Sequence, residues 1–597
     1  MEAIYLLTII AVLTPLFGAF ASLLLKKWQM IRDVFGVLTI GISAIMSIAV
    51  FIMFEEPGSL DFWWFNFIWP SNLSVGFYLD GLSVMMLLIV SILSMLIAFF
   101  SLEYMGGDKY KDRYWFFMQL FVSGMLLLVV AHDMVLLFAG WEIVGLCSCF
   151  LIAHHFMKEG EEGKKPALSG IKALIMTGIG DIGLLVFLAW LFYQTNSLLI
   201  PRTEINGSNA VMSIFLILAP LSKSAQFPLQ SWLSSGDTID IDAMQGPTTV
   251  SALIHAATMV KAGVYLVARF TPAWNEKVFY VLLMVLAGIS CVGAALGALV
   301  TTDLKRVLAY STISQLSYMF LALSMREGEV GLSAGELHLF SHAIFKALLF
   351  LSAGAIIHSV AEERDIKKMG GLRTELPWIY WFMLIGVLGL MGIPFITNGG
   401  YSKELIIGTA LENGYWFVFV ITVLTALLTA LYSTRMFLMI FHGKNRGVHV
   451  HKPKWIMRTT LGILAFLVVF TGFTVEGVFS DFLENNEKSF GNPFHINGAA
   501  LGSALGAVVL GIVIAYLLYG KGQTEVAIFE QNKVLRALRT FVAEGFYIDH
   551  LYNLVIVKPA FWIGKQLSYL KTGKINWNMI FGSLVSIGVL VITVVIV

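Results

Sequence analysis

Apolar runs of about 20 residues recur from one end of this chain to the other, the length a helix needs to cross roughly 30 Å of hydrocarbon. In lipid every backbone N–H and C=O must be satisfied within the chain, so only helices or a closed barrel can span. Barrel strands would show segments of about 10 residues with alternating polarity, and these runs are longer and unalternating. The fold class expected is therefore an all-α polytopic membrane protein with about 16 transmembrane helices. At 58% hydrophobic and 13% charged residues, the composition agrees. The spans divide as residues 1–113 (spans 1–3), 114–271 (spans 4–8), 278–441 (spans 9–13), 457–519 (spans 14 and 15) and 576–597 (span 16). The first span begins almost at Met1 without a cleavage-site pattern, and reads as a retained helix.

Between spans 15 and 16 lies a different stretch, 520–574, mildly basic (Lys533, Arg536, Arg539, Lys558, Lys565) with apolar residues between the charges and a breaker at Pro559. Its pattern suits an amphipathic lateral helix lying along the membrane surface. If the N-terminus faces outward, the inner loops hold 20 basic residues and the outer loops and margins 5. Under the positive-inside rule this places the N- and C-termini outward. A net charge of +1 gives no reason to expect nucleic acid as a partner. Cys147, Cys149 and Cys291 lie within spans and lack metal-ligand spacing, so no iron–sulfur centre, other cofactor or metal is expected in this chain.

Six basic residues are left inside the spans: Lys172, Lys223, Lys261, Lys346, Lys403 and Arg435. Lys172 and Arg435 sit near inner ends and can snorkel. The other four lie near mid-span, where a charge costs roughly 2.5–3.5 kcal/mol on insertion scales. With Glu142 and Asp181 nearby in sequence, they read as stations for ions. Two spans also look broken. Pro220 and Pro228 flank Lys223 in span 208–234, and Pro394 with several glycines precedes Lys403 in span 376–411. Proline removes a donor and clashes with the preceding turn, and irregular backbone survives at depth only inside protein or beside a wet cavity. Breaks five spans apart point to two inverted five-helix repeats, 114–271 and 278–441.

Glu142, at the middle of the fifth span, is the natural partner for Lys223, and a pair whose separation changes would switch the lysine's proton affinity. Asp181 in the sixth span competes as a modulating acid. His338, His342 and Lys346 recur every fourth residue, on one face of a helix. Two imidazoles there suit a proton relay; the competing metal reading lacks a glutamate in the right place. His255 and Lys261, six residues apart, are successive stations rather than face-mates. Lys403, with Glu404 beside it as a second modulating acid, ends the expected order: Lys223, His255 or Lys261, Lys346, Lys403. Asp303, Lys305 and Arg306 open the tenth span as ordinary loop charges.

The strings Trp141-Glu142-Ile143-Val144-Gly145, Ser222-Lys223-Ser224-Ala225-Gln226-Phe227-Pro228, Gly246-Pro247-Thr248-Thr249-Val250-Ser251 and His342-Ala343-Ile344-Phe345-Lys346 resemble the subunit L family of complex I. These are the antiporter-like, distal proton-pumping subunits of proton-translocating NADH:quinone oxidoreductase. The resemblance runs from the first span to the last. It implies a proton channel built on Glu142, Lys223, His255, His338, His342, Lys346 and Lys403. It also implies a subunit without a redox centre, whose quinone, flavin and iron–sulfur clusters belong to partners: other antiporter-like membrane subunits and a peripheral redox arm. The expected location is the cell membrane, and the enzyme a translocase. Two departures stand out. The acidic run Gly236–Asp242 looks like an insertion that marks a partner contact. Lys261 resembles archaeal versions that oxidise a reduced deazaflavin and reduce a phenazine or quinone. A subunit of a multi-subunit cation/proton antiporter and the membrane arm of an energy-converting hydrogenase are the alternative readings.

Overall fold

The computed structural model describes residues 2–62, 75–201, 204–205, 207–325, 330–474, 497–520 and 531–569. Among them, twelve helical stretches are long and apolar enough to cross a membrane. In order come α1 (Glu2–Leu24), α2 (Gln29–Met53), α3 (Gly81–Tyr104), α4 (Lys111–Val130), α5 (Met134–Ile152), α6 (Glu161–Thr195), α7 (Ala210–Lys223), α8 (Thr248–Ala252), α9 (Met259–Phe270), α10 (Lys277–Val300), α11 (Leu304–Leu323), α12 (Val330–Ser359), α13 (Leu372–Glu375), α14 (Pro377–Met391), α15 (Asn398–Glu412), α16 (Trp416–Phe441) and α17 (Trp455–Thr474). A further helix, Gly498–Tyr519, and the lateral segment follow. The expected span 576–597 lies outside the described residues.

Short acidic side chains start several of these helices by accepting from orphan backbone N–H groups. Asp80 accepts from Ser83 N in a capping box, Asp133 from Leu136 N, and Asp303 from Lys305 N and Arg306 N. Asp303 is thus a helix cap and not a free loop charge. Between α2 and α3 the chain departs from all-α. Two strands, β1 (Gly58–Phe62) and β2 (Val75–Leu79), pair antiparallel with Leu60 opposite Phe77. Phe77 and Leu79 are buried and Tyr78 between them less so, the period-two pattern that a search for 20-residue runs passes over.

Burial grades the helices from lipid inward. The apolar stretch of α12 is 94% buried and that of α8–α9 wholly so, whereas Gly498–Tyr519 is 17% buried. The central helices therefore carry His255, Lys261, His338, His342 and Lys346. Every residue of α11 is buried too, which is how a helix rich in Ser, Thr and Gln stands inside the bundle. Trp28, Trp378 and Trp455, all more than half exposed, stand at the starts of α2, α14 and α17, where indole rings suit the membrane–water interface.

Both expected breaks are present. α7 stops at Lys223 and the chain runs irregularly until a short 3₁₀ turn at Gln230–Trp232. α14 stops at Met391 and α15 resumes at Asn398, with Gly392 and Phe395 at positive φ between them. A third irregularity was not expected. The span 248–271 is not one regular helix: a π turn at Leu253–Ala257 holds His255 and separates α8 from α9. Such turns carry one extra residue and concentrate at functional sites. Thr258 closes this one by donating to the Leu253 carbonyl at 2.7 Å.

The lateral segment comprises helices Lys533–Ala543, Ile548–Tyr552 and Lys558–Tyr569. Its break is at Gly545–Tyr547, three residues at positive φ, and not at Pro559. Pro559 follows a π turn (Asn553–Val557), and the helical path runs through it without a break.

Candidate functional site

Lys223, the last residue of α7, is fully buried. Its Nζ donates to the Trp141 carbonyl at 3.3 Å and stands 3.7 Å from Asp181 Oδ1. Asp181 also accepts from Trp141 Nε1 at 2.6 Å. Helices α5, α6 and α7 therefore meet on one amine, and the carboxylate within ion-pair range is Asp181, not Glu142. Helical phase explains the difference. Trp141 and Gly145, one turn apart, face Lys223 so closely that a Cβ on Gly145 would lie 2.5 Å from Nζ. Glu142 is turned about 100° from Trp141 around the helix and is half-buried. It reaches Lys223 only through the field.

The irregular backbone after Lys223 is tied down by side chains, as buried backbone requires. Trp232 Nε1 donates to the Ser222 carbonyl at 2.9 Å, and Ser224 Oγ donates to the Val260 carbonyl, beside Lys261, at 2.7 Å. Gln226 Oε1 accepts from Ser317 Oγ of α11 at 2.7 Å. Pro220 lies inside α7 one turn before Lys223, and Pro228 beyond the break. The first break thus touches both α9 and α11.

Three further amines line the centre. Lys261 Nζ donates to the Leu339 carbonyl at 2.8 Å, Lys346 Nζ to Ser311 Oγ at 2.6 Å, and Lys403 Nζ to the Leu390 carbonyl at 2.6 Å. An ammonium has three donors. Each of these amines is given one neutral acceptor, and among the described residues no carboxylate forms an ion pair with it. His338 ties α12 to its neighbours, with Nδ1 2.9 Å from Ser402 Oγ and Nε2 3.2 Å from Gln315 Oε1. Its ring lies 6.3 Å from that of His342. His342 and His255 are fully buried, and none of their ring nitrogens has a hydrogen-bond partner among the described residues. The His255 ring lies 4.5 Å from Phe350, whose face also carries Lys346 at 5.8 Å.

Pro394 lies in the turn between α14 and α15, and the second break turns Lys403 toward the carbonyl end of α14, where a cation meets the negative pole of the helix. Glu404 points elsewhere and accepts from Asn497 N at 3.2 Å. Adjacent in sequence, the two residues face different elements.

The profile of the NADH:quinone oxidoreductase/Mrp antiporter transmembrane family matches residues 131–429, and that of the complex I chain 5 N-terminus matches 64–115. NADH-quinone oxidoreductase subunit L of Escherichia coli is 35% identical over 570 residues, covering 92% of this chain and 89% of the relative. The chain belongs to the subunit L family of NADH-quinone oxidoreductases. NADH-ubiquinone oxidoreductase chain 5 of Allomyces macrogynus is 34% identical, covering 88% of this chain and 86% of its own. Among solved structures, the Mrp complex of a Dietzia species aligns with a TM-score of 0.78 at 24% identity, over 100% of this chain and 63% of that one. The membrane-bound sulfane sulfur reductase, an archaeal respiratory membrane complex, aligns at 0.74 with 20% identity, over 98% of this chain and 99% of that one. At such identities these likenesses establish the fold.

In this subunit L relative, several residues that sequence reasoning passed over line the same centre. Ser311, Gln315 and Tyr318 share one face of α11 and meet Lys346, His338 and Lys403 in turn, the last at 5.3 Å from the Tyr318 ring. Polar residues at i, i+4 and i+7 within an expected span were the available signal. Lys305 and Arg306, taken as loop charges, are buried. Lys305 Nζ donates to the Met244 and Gly246 carbonyls at 2.8 and 2.6 Å.

The acidic run Gly236–Asp242, expected to meet a partner, folds onto the chain itself. Arg306 bonds Asp242 at 2.9 Å and Asp240 at 2.5 Å, with Asp237 at 3.6 Å. The same run receives the lateral segment: Asp237 N donates to the Ala543 carbonyl at 2.9 Å, and the Thr238 hydroxyl donates to Glu544. Nearby, Lys172 pairs with Asp549 at 2.7 Å, and the Tyr552 hydroxyl donates to the Pro228 carbonyl in the first break. Arg435 does not snorkel, for it is buried and donates to the Thr301 carbonyl at 3.0 Å.

Proposed function

We propose that this chain is the proton-translocating membrane subunit of a respiratory dehydrogenase, a translocase subunit that carries no redox centre and is driven by electron transfer in companion subunits. The observation that carries this reading is the set of three buried amines, Lys261, Lys346 and Lys403, each with one neutral acceptor and no ion-pair partner among the described residues. A static structural role gives no reason to bury a cation so poorly satisfied. Proton exchange does, because the amine need carry charge only while it holds the transferred proton.

The path runs from Lys223, gated by Asp181 with Glu142 modulating it, through His255 and Lys261 to His342, Lys346 and His338, and ends at Lys403 and Glu404. The buried imidazole nitrogens are served by internal water, which binds where polar atoms lack protein partners. Of sixteen spans, ten form two inverted five-helix repeats, 114–271 and 278–441, with the two broken helices at matching positions and both termini outward in the cell membrane. The companions are other antiporter-like membrane subunits and a peripheral redox arm that holds the quinone site, flavin and clusters. The names of the relatives support NADH as donor over a reduced deazaflavin. The likeness in fold to the Mrp complex supports cation/proton exchange as the second reading, with a hydrogenase membrane arm behind it.

Moving one charge against 100 mV costs about 2.3 kcal/mol, so each transfer must be driven by the redox arm. The test uses the native assembly in sealed vesicles. Lys223→Ala is expected to lower protons moved per electron while electron flux continues. Lys223→Arg is expected to fail as well, since a guanidinium keeps its proton throughout. Undiminished pumping by both variants would reject the path, and sodium-dependent exchange without redox coupling would favour the second reading.

A further inference from the structure

Away from the central lysines, the turn joining α3 to α4 meets the end of α5. Asp108 Oδ2 stands 3.1 Å from His154 Nε2 and 3.9 Å from His155 Nδ1, and the three atoms lie within 4.8 Å of one another. Each ligand group is held by its surroundings. Asp108 Oδ1 accepts from Tyr110 N at 2.6 Å, and Arg113 Nη2 donates to the His154 carbonyl at 3.0 Å. The Tyr110 and Tyr114 rings meet the His154 ring edge-on at 6.2 and 6.0 Å.

A simple His–Asp hydrogen bond does not account for the arrangement. His154 is 2% exposed, yet its Nε2 forms no hydrogen bond among the described residues despite the short distance. His155 Nδ1 is likewise buried and unpartnered. Two imidazole nitrogens and a carboxylate oxygen, all within 4.8 Å of one another, form a metal-ligand set.

We propose that Asp108, His154 and His155 bind a divalent transition-metal cation, with zinc the best match to two nitrogens and one oxygen. Ligand atoms about 2.0–2.2 Å from a tetrahedral ion lie roughly 3.3–3.6 Å apart, leaving a fourth position for water. The two spacings from Asp108 straddle that value, and closure needs His155 to move inward by a fraction of an ångström. His155 is free to do so, being 27% exposed and just past the end of α5. Arg113, Lys158 and Lys305 stand around the cluster and oppose a cation. The site is therefore exchangeable and not one the fold depends on. Occupied, it would fasten the start of α4 to the helix that carries Trp141 and Glu142.

The test is zinc binding by the purified full-length chain in detergent, with His358→Ala and His451→Ala in every sample to remove a second histidine pair, whose rings lie 5.1 Å apart. One zinc per chain is expected, with X-ray absorption showing two imidazole nitrogens and oxygen. His155→Ala should lose it, and Asp108→Asn, which keeps the side chain's shape, should weaken binding at least tenfold. The proposal is overturned if the parent binds no zinc, if the absorption spectrum lacks paired imidazoles, or if both variants bind as the parent does.

Discussion

The four central lysines differ in what lies next to them. Lys223 has a carboxylate at 3.7 Å, whereas Lys261, Lys346 and Lys403 each have one neutral oxygen acceptor among the described residues. The first can be switched by moving one acid, while the others respond to charge arriving from neighbours. Its position against Asp181 depends on a residue with no chemistry of its own. Gly145 leaves the space that Nζ occupies, and a methyl there would sit 2.5 Å from the nitrogen. Gly145→Ala is therefore expected to displace the amine from Asp181 and lower protons per electron by at least about twofold, since the strength of a charge pair falls with distance. No titratable group is removed, so the same variant should keep its electron flux. Proton and electron rates measured together in vesicles decide the matter, and unchanged coupling would remove Gly145 from the mechanism.

At the scale of elements, three interruptions set the geometry. The break after Lys223 and the break before Asn398 free backbone carbonyls at depth, and Lys403 takes up one of them, that of Leu390. Gly392 makes this possible twice over. Its φ is +81°, and a Cβ would lie 2.7 Å from Lys403 Cδ. Gly414, at φ +72° with open space around it, separates the two effects. Gly414→Ala should cost about 1–2 kcal/mol for the left-handed backbone alone, and Gly392→Ala distinctly more. Thermal unfolding of both variants measures the difference. Equal losses would mean that the contact with Lys403 does not matter. The π turn at Leu253–Ala257 is the interruption that hydrophobic periodicity could not foretell, because it shifts the phase of a helix without changing its composition.

Across the whole molecule, the acidic run and Arg306 join α11 to the lateral segment. Burial alone would raise the Asp242 carboxyl, but the Arg306 guanidinium and the Ser235 backbone N–H hold it below its ordinary value. A carboxyl depressed in the folded state adds stability above its unfolded value of about 3.9, and that stability is lost as pH falls through the lower folded value. Asp242→Asn takes from Arg306 its one fully buried carboxylate while Asp240 and Asp237 stay, which costs less than the roughly 3–5 kcal/mol of a buried charge left wholly unpaired. The variant should melt well below the parent at pH 7, and the gap should close as the pH drops below about 4. A gap that persists in acid would show that shape, and not charge, makes Asp242 matter.

Much of this protein follows from its sequence, because lipid leaves a chain few choices. Apolar runs of membrane-spanning length dictated helices, proline and glycine beside Lys223 and Lys403 marked where two of them stop, and unpaired cations in apolar surroundings marked the centre. Which groups touch was decided only by tertiary structure. Phase around α5 chose Asp181 over Glu142 for Lys223, and packing between helices distant in sequence brought Ser311, Gln315 and Tyr318 to the amines. The same packing buried Lys305 and Arg306 and laid the acidic run against the chain's own lateral segment. Such contacts depend on rotations of a fraction of a turn, which hydrophobic runs, being apolar on every side, do not record.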